Sequence, residues 1–313
     1  MQSLNPKTTM NYQELIEEIY SEVKSGENSG DVASYIPELE KVNTDKFGIS
    51  LTTIDNENFS TGESNEKFSI QSIAKVLSLA LVYKTVGGKL WERVGVEPSG
   101  TAFNSLVQLE YELGIPRNPM INAGAIVVCD LLISQFDDPK NELISFIRNI
   151  SNCPTINYNQ TIVESEKSMG FRNAGLINFI KSFGNIHNKI EQVLDLYYNL
   201  CSIEMTCQEL SQTFLFLANY GKNSLTNNQI LTISQSKRVN AIMQSCGFYD
   251  ESGEFAYRVG LPGKSGVGGG IIAVHPNKYT IAVWSPRLNK KGNSFRGMKF
   301  LEQFTSKTEF SIF

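Results

Sequence analysis

The sequence predicts an α+β fold: a five-stranded antiparallel sheet flanked by terminal helices, with a large helical lobe inserted between its strands. Three observations lead there. Strand-forming segments fall into two groups, two near the N-terminus and three near the C-terminus, and their hairpin connections favour an antiparallel sheet. Nearly everything between the groups has helical character. An amphipathic helix stands at each end of the chain. The implied boundaries are 1–84 together with 247–313 for the sheet lobe and 85–246 for the helical lobe, with a ligand cleft between them.

In chain order, residues 11–25 place Leu15, Ile16, Ile19, Tyr20 and Val23 on one helical face. "FGISLTTIDNENFSTG", Phe47 to Gly62, alternates β-formers around a break at "DNEN" and predicts a hairpin. A helix is expected from Ser69 to about Val86, stopped by Gly87-Gly88. Helical character then continues to about Cys246, with Asp138-Pro139 as a helix start and Thr206 with Glu209 at capping-box spacing. "EFAYRVG", "GGIIAVH" and "KYTIAVW" are expected as the three C-terminal strands, the last two joined through "HPN". A helix over Phe295 to Phe304 closes the fold.

With 313 residues the chain is long enough for a sizeable core, and 41% hydrophobic and 19% charged residues are ordinary globular values. A net charge of −4 argues against nucleic acid as a partner, and the absence of any polybasic run argues against a membrane anchor. The longest apolar run, Ala123 to Ile133, is too short for a span, and "MQSLNPKTTMNYQELIEEIY" lacks the features of a secretory signal. Five cysteines with no C-x-x-C pair and two histidines supply a zinc site poorly, and predict buried free thiols in a reducing compartment. A cytoplasmic protein is expected.

Two motifs carry chemistry. "LPGKSGVGGG", Leu261 to Gly270, ends like a phosphate-binding loop but has Arg258 where the first glycine belongs and β-branched residues where a helix should follow. Its glycines instead suit a close approach of backbones. "FSIQSIAKVL" contains Ser72-Ile73-Ala74-Lys75, a serine and a lysine one helical turn apart on the same face. S-x-x-K after the N-terminal strands, with K-[ST]-G on a strand near the C-terminus, is the pattern of penicillin-binding proteins and serine β-lactamases. In that geometry a strand N–H just beyond Lys264-Ser265-Gly266 joins the Ser72 N–H as an oxyanion hole.

The intervening blocks narrow the pattern. "SYIPELE", "FSIQSIAKV", "NPMINAGAI", "SEKSMGFRN", "LYYNLCSIEMT" and "CGFYDESGEFAYRVGLPGKSGVGGGI" together resemble the serine-dependent, bacterial-type glutaminases, in order over about residues 30–300. The resemblance implies a serine β-lactamase-like fold with Ser72 as nucleophile, Lys75 as its proton-transfer partner, Tyr249 in contact with the nucleophile, and Val267 as the second oxyanion donor. It further implies that Tyr35, Asn122, Glu166, Asn173 and Tyr197 contact bound L-glutamine, that no metal or organic cofactor takes part, and that the chain forms a homodimer or homotetramer. Glu164 competes with Glu166 and Tyr198 with Tyr197, while Asn122 and Asn173 could equally be helix N-caps. The family usually has serine where this chain has Ala74, a position directed away from the Ser72–Lys75 face.

The expected reaction is hydrolysis of L-glutamine to L-glutamate and ammonia through a seryl γ-glutamyl ester. The alternatives are a non-catalytic glutamine-binding sensor, against which Ser72, Lys75 and Tyr249 argue, and a β-lactamase-like acyl-serine hydrolase. The latter lacks support from an export signal or a central S-x-N motif.

Overall fold

The computed structural model describes residues 10–99 and 106–313; residues 1–9 of the expected sheet lobe and 100–105 of the expected helical lobe lie outside them. Its main sheet has β1 (Gly48–Thr53), β2 (Asn58–Gly62), β6 (Gly263–Ser265), β7 (Gly270–His275) and β8 (Tyr279–Trp284) in the order β2-β1-β8-β7-β6, and every pairing is antiparallel. A smaller sheet pairs β3 (Phe68–Ser69), β5 (Ile203–Met205) and β4 (Asn157–Tyr158), with β5 in the middle.

Alternation along β1 decides how the main sheet is covered. Ile49 and Leu51 join Ile271, Ala273, Ile281 and Val283 beneath the terminal helices, Tyr12–Ser25 and Phe295–Thr308. Ser50 and Thr52 face the other way, where helix Cys207–Ala218 lies on the sheet. Their hydroxyls meet Ser211 Oγ at 3.2 and 2.7 Å, and Asn58 Nδ2 donates to both. The sheet is therefore buried on both faces, and the polar face is satisfied within the protein.

One expected strand is a helix. "EFAYRVG" lies largely in helix Ser252–Arg258. Phe255 and Val259 are buried four residues apart while Tyr257 is 90% exposed, which is helical periodicity rather than strand alternation. Phe255 stacks on Phe248 with ring centroids 3.7 Å apart. The fifth strand is Gly263–Ser265 instead. The expected all-helical stretch is also interrupted by β4 and β5, whose two and three residues are too short to show any period. All five cysteines are free and four are buried; Cys153, expected buried, is half-buried with its thiol 3.1 Å from Glu209 Oε1. The capping signals at Asp138, Thr206 and Glu209 form as expected.

Asp130 holds the helical region together. It lies fully buried on helix Asn122–Gln135 and accepts from the His187 and Asn188 amides, from Asn188 Nδ2 and from Arg93 at 2.7 Å. Burial pushes its pKa up, but these donors outweigh burial and hold it below the usual carboxylate value. Removing the carboxylate leaves the His187 and Asn188 amides without their acceptor and takes one of its partners from the part-buried Arg93, which keeps its bonds to Asn185. Asp130→Ala should destabilise the protein by about 3–5 kcal/mol in urea melts. Because the folded pKa is depressed, the wild type's contribution should be complete above about pH 4 and fade as pH falls further.

Candidate active site

The chain reaches the candidate site through a sharp change of structure. β3 ends at Ser69, the segment Gln71–Ile73 makes one 3-10 turn, and helix Ala74–Val86 begins after it. Gln71 has φ +49°, a conformation that non-glycine residues rarely adopt. The turn presents Ser72 to a cavity of about 490 Å³, and Lys75 lies one turn on behind it, buried.

The glycine-rich stretch packs against this turn. A Cβ at Gly266 would overlap the Ile70 carbonyl, and one at Gly268 would overlap the Ser69 carbonyl. Trp284 Nε1 donates to Gly268 O at 3.1 Å and its ring stacks on Phe68 at 4.9 Å, fastening the two segments together. Val267 thereby lines the same cavity as Ser72. Neither the Ser72 nor the Val267 backbone N–H has an acceptor among the described residues. Two such free donors beside a hydroxyl are the parts of an oxyanion hole.

Tyr249 closes the site from the end of helix Ile233–Cys246, with φ +56°. Burial keeps the phenol well above its usual pKa, and the neighbouring Ser72 side chain opposes that rise. Lys264, buried on β6, donates to Gly247 O at 2.9 Å and Ser265 O at 2.7 Å, and its Nζ lies 4.2 Å from the Tyr249 ring centre. Lys75 Nζ donates to Asn122 Oδ1 at 2.7 Å and to Met120 O at 3.3 Å. Burial lowers its pKa to about 8. A neutral amine would use its two N–H bonds on these two acceptors and keep its lone pair free.

Glu166 lies on the far side. It is buried on helix Gln160–Ser168, and burial raises its carboxyl to about 7 against the opposing Gln71 hydrogen bond and the Lys75 charge. Its Oε1 has no hydrogen-bond partner among the described residues. A buried carboxylate oxygen without a donor is costly unless a ligand supplies one, and a cation is the complementary ligand.

The same fold and residue pattern occur in known proteins. A family model described as Glutaminase matches residues 30–313. A protein named Glutaminase from Saccharophagus degradans is 60% identical over 304 residues, covering 97% of this chain and 99% of the relative. The chain belongs to the glutaminase family. Its Christiangramia forsetii relative of that name is 53% identical over 97% of this chain and all of its own length. Among solved structures, a probable glutaminase named ybaS superimposes with a TM-score of 0.91 at 33% identity, covering 96% of this chain and 97% of that one. Mglu in its glutamate form does so with a TM-score of 0.91 at 29% identity, over 97% and 70%.

For a glutaminase-family chain, the residues singled out in the sequence fall close together. Tyr35, Ser72, Asn122, Glu166, Asn173, Tyr197, Tyr249 and Val267 all line the cavity, while Lys75 sits just behind it. Glu164 is instead exposed and paired with Lys167, and the Tyr198 hydroxyl donates to Gly170 O at 3.4 Å, outside the lining. Neither asparagine is a cap: Asn122 is the first residue of its helix after Ile121, Asn173 lies inside helix Phe171–Ser182, and the two side chains bond each other at 3.0 Å. Ala74 is buried in the core.

Gln71 and Cys201 also line the cavity and were not picked out. Gln71 Nε2 donates to Ser69 Oγ at 3.1 Å while its side chain also bonds Glu166. Adjacency to Ser72 was the only sequence signal for it. Cys201 bonds Tyr197, and burial pushes its thiol up to about 12. Because the Gln71 bond opposes the effect of burial on Glu166, Gln71→Leu should move the Glu166 midpoint upward from about 7 in carboxyl-carbon NMR titrations. An unchanged or lower midpoint would show that this bond does not tune the carboxylate.

Proposed function

We infer that the chain is an L-glutamine amidohydrolase that releases ammonia and L-glutamate through a seryl γ-glutamyl ester. The observation that carries this reading is a single cavity that brings Ser72 and Tyr249 together with an unpartnered Glu166 oxygen. Free glutamine brings an ammonium, a carboxylate and a side-chain amide, and the cavity offers a partner for each. Glu166 takes the α-ammonium. The Asn173 Oδ1 accepts from Asn122, so its Nδ2 is left to donate, with the Tyr197 hydroxyl, toward the α-carboxylate. Tyr35, 47% exposed at the mouth, covers the bound amino acid.

Ser72 Oγ attacks the amide carbon and its proton passes to the neutral Lys75 amine while the Tyr249 hydroxyl holds the oxygen in place. The oxyanion rests on the Ser72 and Val267 N–H groups. The C–N bond then breaks as its nitrogen takes the proton and leaves as ammonia. Water attacks the resulting ester as Lys75 takes its proton, and that proton passes to Ser72 Oγ as the ester C–O bond breaks and glutamate leaves. In this reading the cleft lies between a sheet lobe, 1–84 with 247–313, and a helical lobe, 85–246. Among the described residues no helix is long and apolar enough to cross a membrane. A cytoplasmic homodimer or homotetramer is proposed on the family resemblance alone.

Purified protein should release ammonia from L-glutamine, and Ser72→Ala should lower kcat by a factor on the order of a thousand or more. Wild-type levels of release from the folded variant would remove Ser72 from the mechanism. Glutamine binding by calorimetry without any release from the wild type would support a sensor instead.

The pH dependence has a definite sign. Binding needs Glu166 ionised, which requires pH above about 7, and acylation needs Lys75 neutral, which is favoured above about 8. Rate profiles of kcat/KM should therefore rise from pH 6 to pH 8.5. Glu166→Gln should raise KM far more than it lowers kcat and remove the lower of the two ionisations.

A further inference from the structure

The turn that carries Tyr249 continues into a buried acid that the proposed chemistry does not use. Glu251 is only 5% exposed, and both of its oxygens are occupied by side-chain amides from one loop. Asn289 Nδ2 donates to Oε1 and Oε2 at 2.9 and 3.0 Å, and Asn293 Nδ2 donates to Oε2. The loop is itself tightly closed. Asn289 Oδ1 accepts from the Lys291 and Asn293 amides, and Asn289 N donates to Asn293 O at 2.8 Å.

On its other side the same loop grips the segment leading to Tyr35. Leu288 and Asp31 exchange both backbone hydrogen bonds, at 2.9 and 3.3 Å, and Arg287 donates to Gly30 O at 2.8 Å. Leu288 also packs with Ala33, Ile36, Leu39 and Val267. Glu251 is thus two residues from the strained Tyr249 and one loop away from both Tyr35 and Val267.

We propose that Glu251 is a positioning residue: through Asn289 and Asn293 it locks the Tyr249 turn to the segment carrying Tyr35, so that both tyrosines are set together around the substrate. This rests on the glutaminase reading for its kinetic consequences, though not for its structural ones. The energetic logic is local. Tyr249 sits in a left-handed backbone conformation that its surroundings must hold. The turn's own hydrogen bonds, Ser252 Oγ to Tyr249 O and Glu251 N to Phe248 O, act within the turn, whereas the Glu251 carboxylate ties it to a separate segment.

The chemistry also predicts which substitution is tolerated. A glutamine at 251 brings one donor in place of an acceptor. Asn289 cannot turn to meet it, because its Oδ1 already accepts two amides. Asn293 can, because its own Oδ1 has no partner among the described residues. Glu251→Gln should therefore keep the lock, and Glu251→Ala should break it.

The test compares wild type, Glu251→Ala and Glu251→Gln in two ways. In steady-state ammonia release well below each melting temperature, Glu251→Ala should lose roughly tenfold to a hundredfold in kcat/KM, with KM raised as well as kcat lowered, because small misplacements of reacting groups are costly. Glu251→Gln should stay within about threefold of wild type. In amide hydrogen exchange, Glu251→Ala should lose protection in residues 30–36 and 247–252 together, and this readout does not depend on turnover. If Glu251→Ala does not fold, Asn293→Ala, which leaves the two Asn289 bonds in place, should show a smaller loss of the same kind in both readouts, and no loss in either overturns the proposal. An active wild type with unchanged kinetics in the folded Ala variant overturns the proposal, as does unchanged exchange in either segment. Failure of Gln to restore what Ala loses overturns it too. A wild type that releases no ammonia while Ala still loosens both segments would instead overturn the glutaminase reading and leave the lock standing.

Discussion

The site depends on one backbone contact. The turn through Gly266 and Gly268 lies so close to the carbonyls of Ser69 and Ile70 that neither position has room for a Cβ. That contact brings the amide of Val267, which follows a strand of the main sheet, beside the amide of Ser72, which follows a strand of the small one. Two hydrogen-bonded sheets are joined at the point where the Ser72 and Val267 N–H groups reach the cavity. Preorganised donors are effective because they need not reorganise when charge develops. The Phe68–Trp284 stack and the Trp284 bond to Gly268 O hold the joint from the side away from the cavity.

Around this joint the protein keeps charges it does not fully compensate. Burial pulls Lys75 and Lys264 down and pushes Glu166 up, so the surroundings disfavour the charged forms of all three. Elsewhere the same chain satisfies a buried carboxylate completely: the Asp130 carboxylate has five donor contacts from three residues and keeps a depressed pKa. The contrast separates a structural acid from a ligand-ready one. Gln71 and Tyr249 both take left-handed conformations at the cavity wall.

The identity of the family enters through agreement at several levels. The matched region spans residues 30–313, the relatives are covered almost end to end, and the residues singled out in this sequence converge on one cavity. Convergence of separate helices on a cleft is what free glutamine requires, because its three polar groups point in different directions and each needs its own partner.

The sequence by itself determined the antiparallel hairpins, the terminal helices, the capped helix starts and the residues worth watching, because periodicity, caps and turn residues act over a few positions. It could not distinguish a helix from a strand in "EFAYRVG", where a short segment of mixed residues carries little pattern and burial of Phe255 and Val259 decided the outcome. Nor could it reveal β4 and β5, whose pairing depends on partners far away in the chain. The resemblance favoured Glu166 over Glu164 and Tyr197 over Tyr198, but the physical reason, which side of each helix meets the cavity, appeared only in the fold. The roles of Gln71 and Glu251 were invisible for the same reason. A hydrogen bond between residues 42 positions apart, such as Asn293 to Glu251, exists only once tertiary packing has closed the loop that joins them.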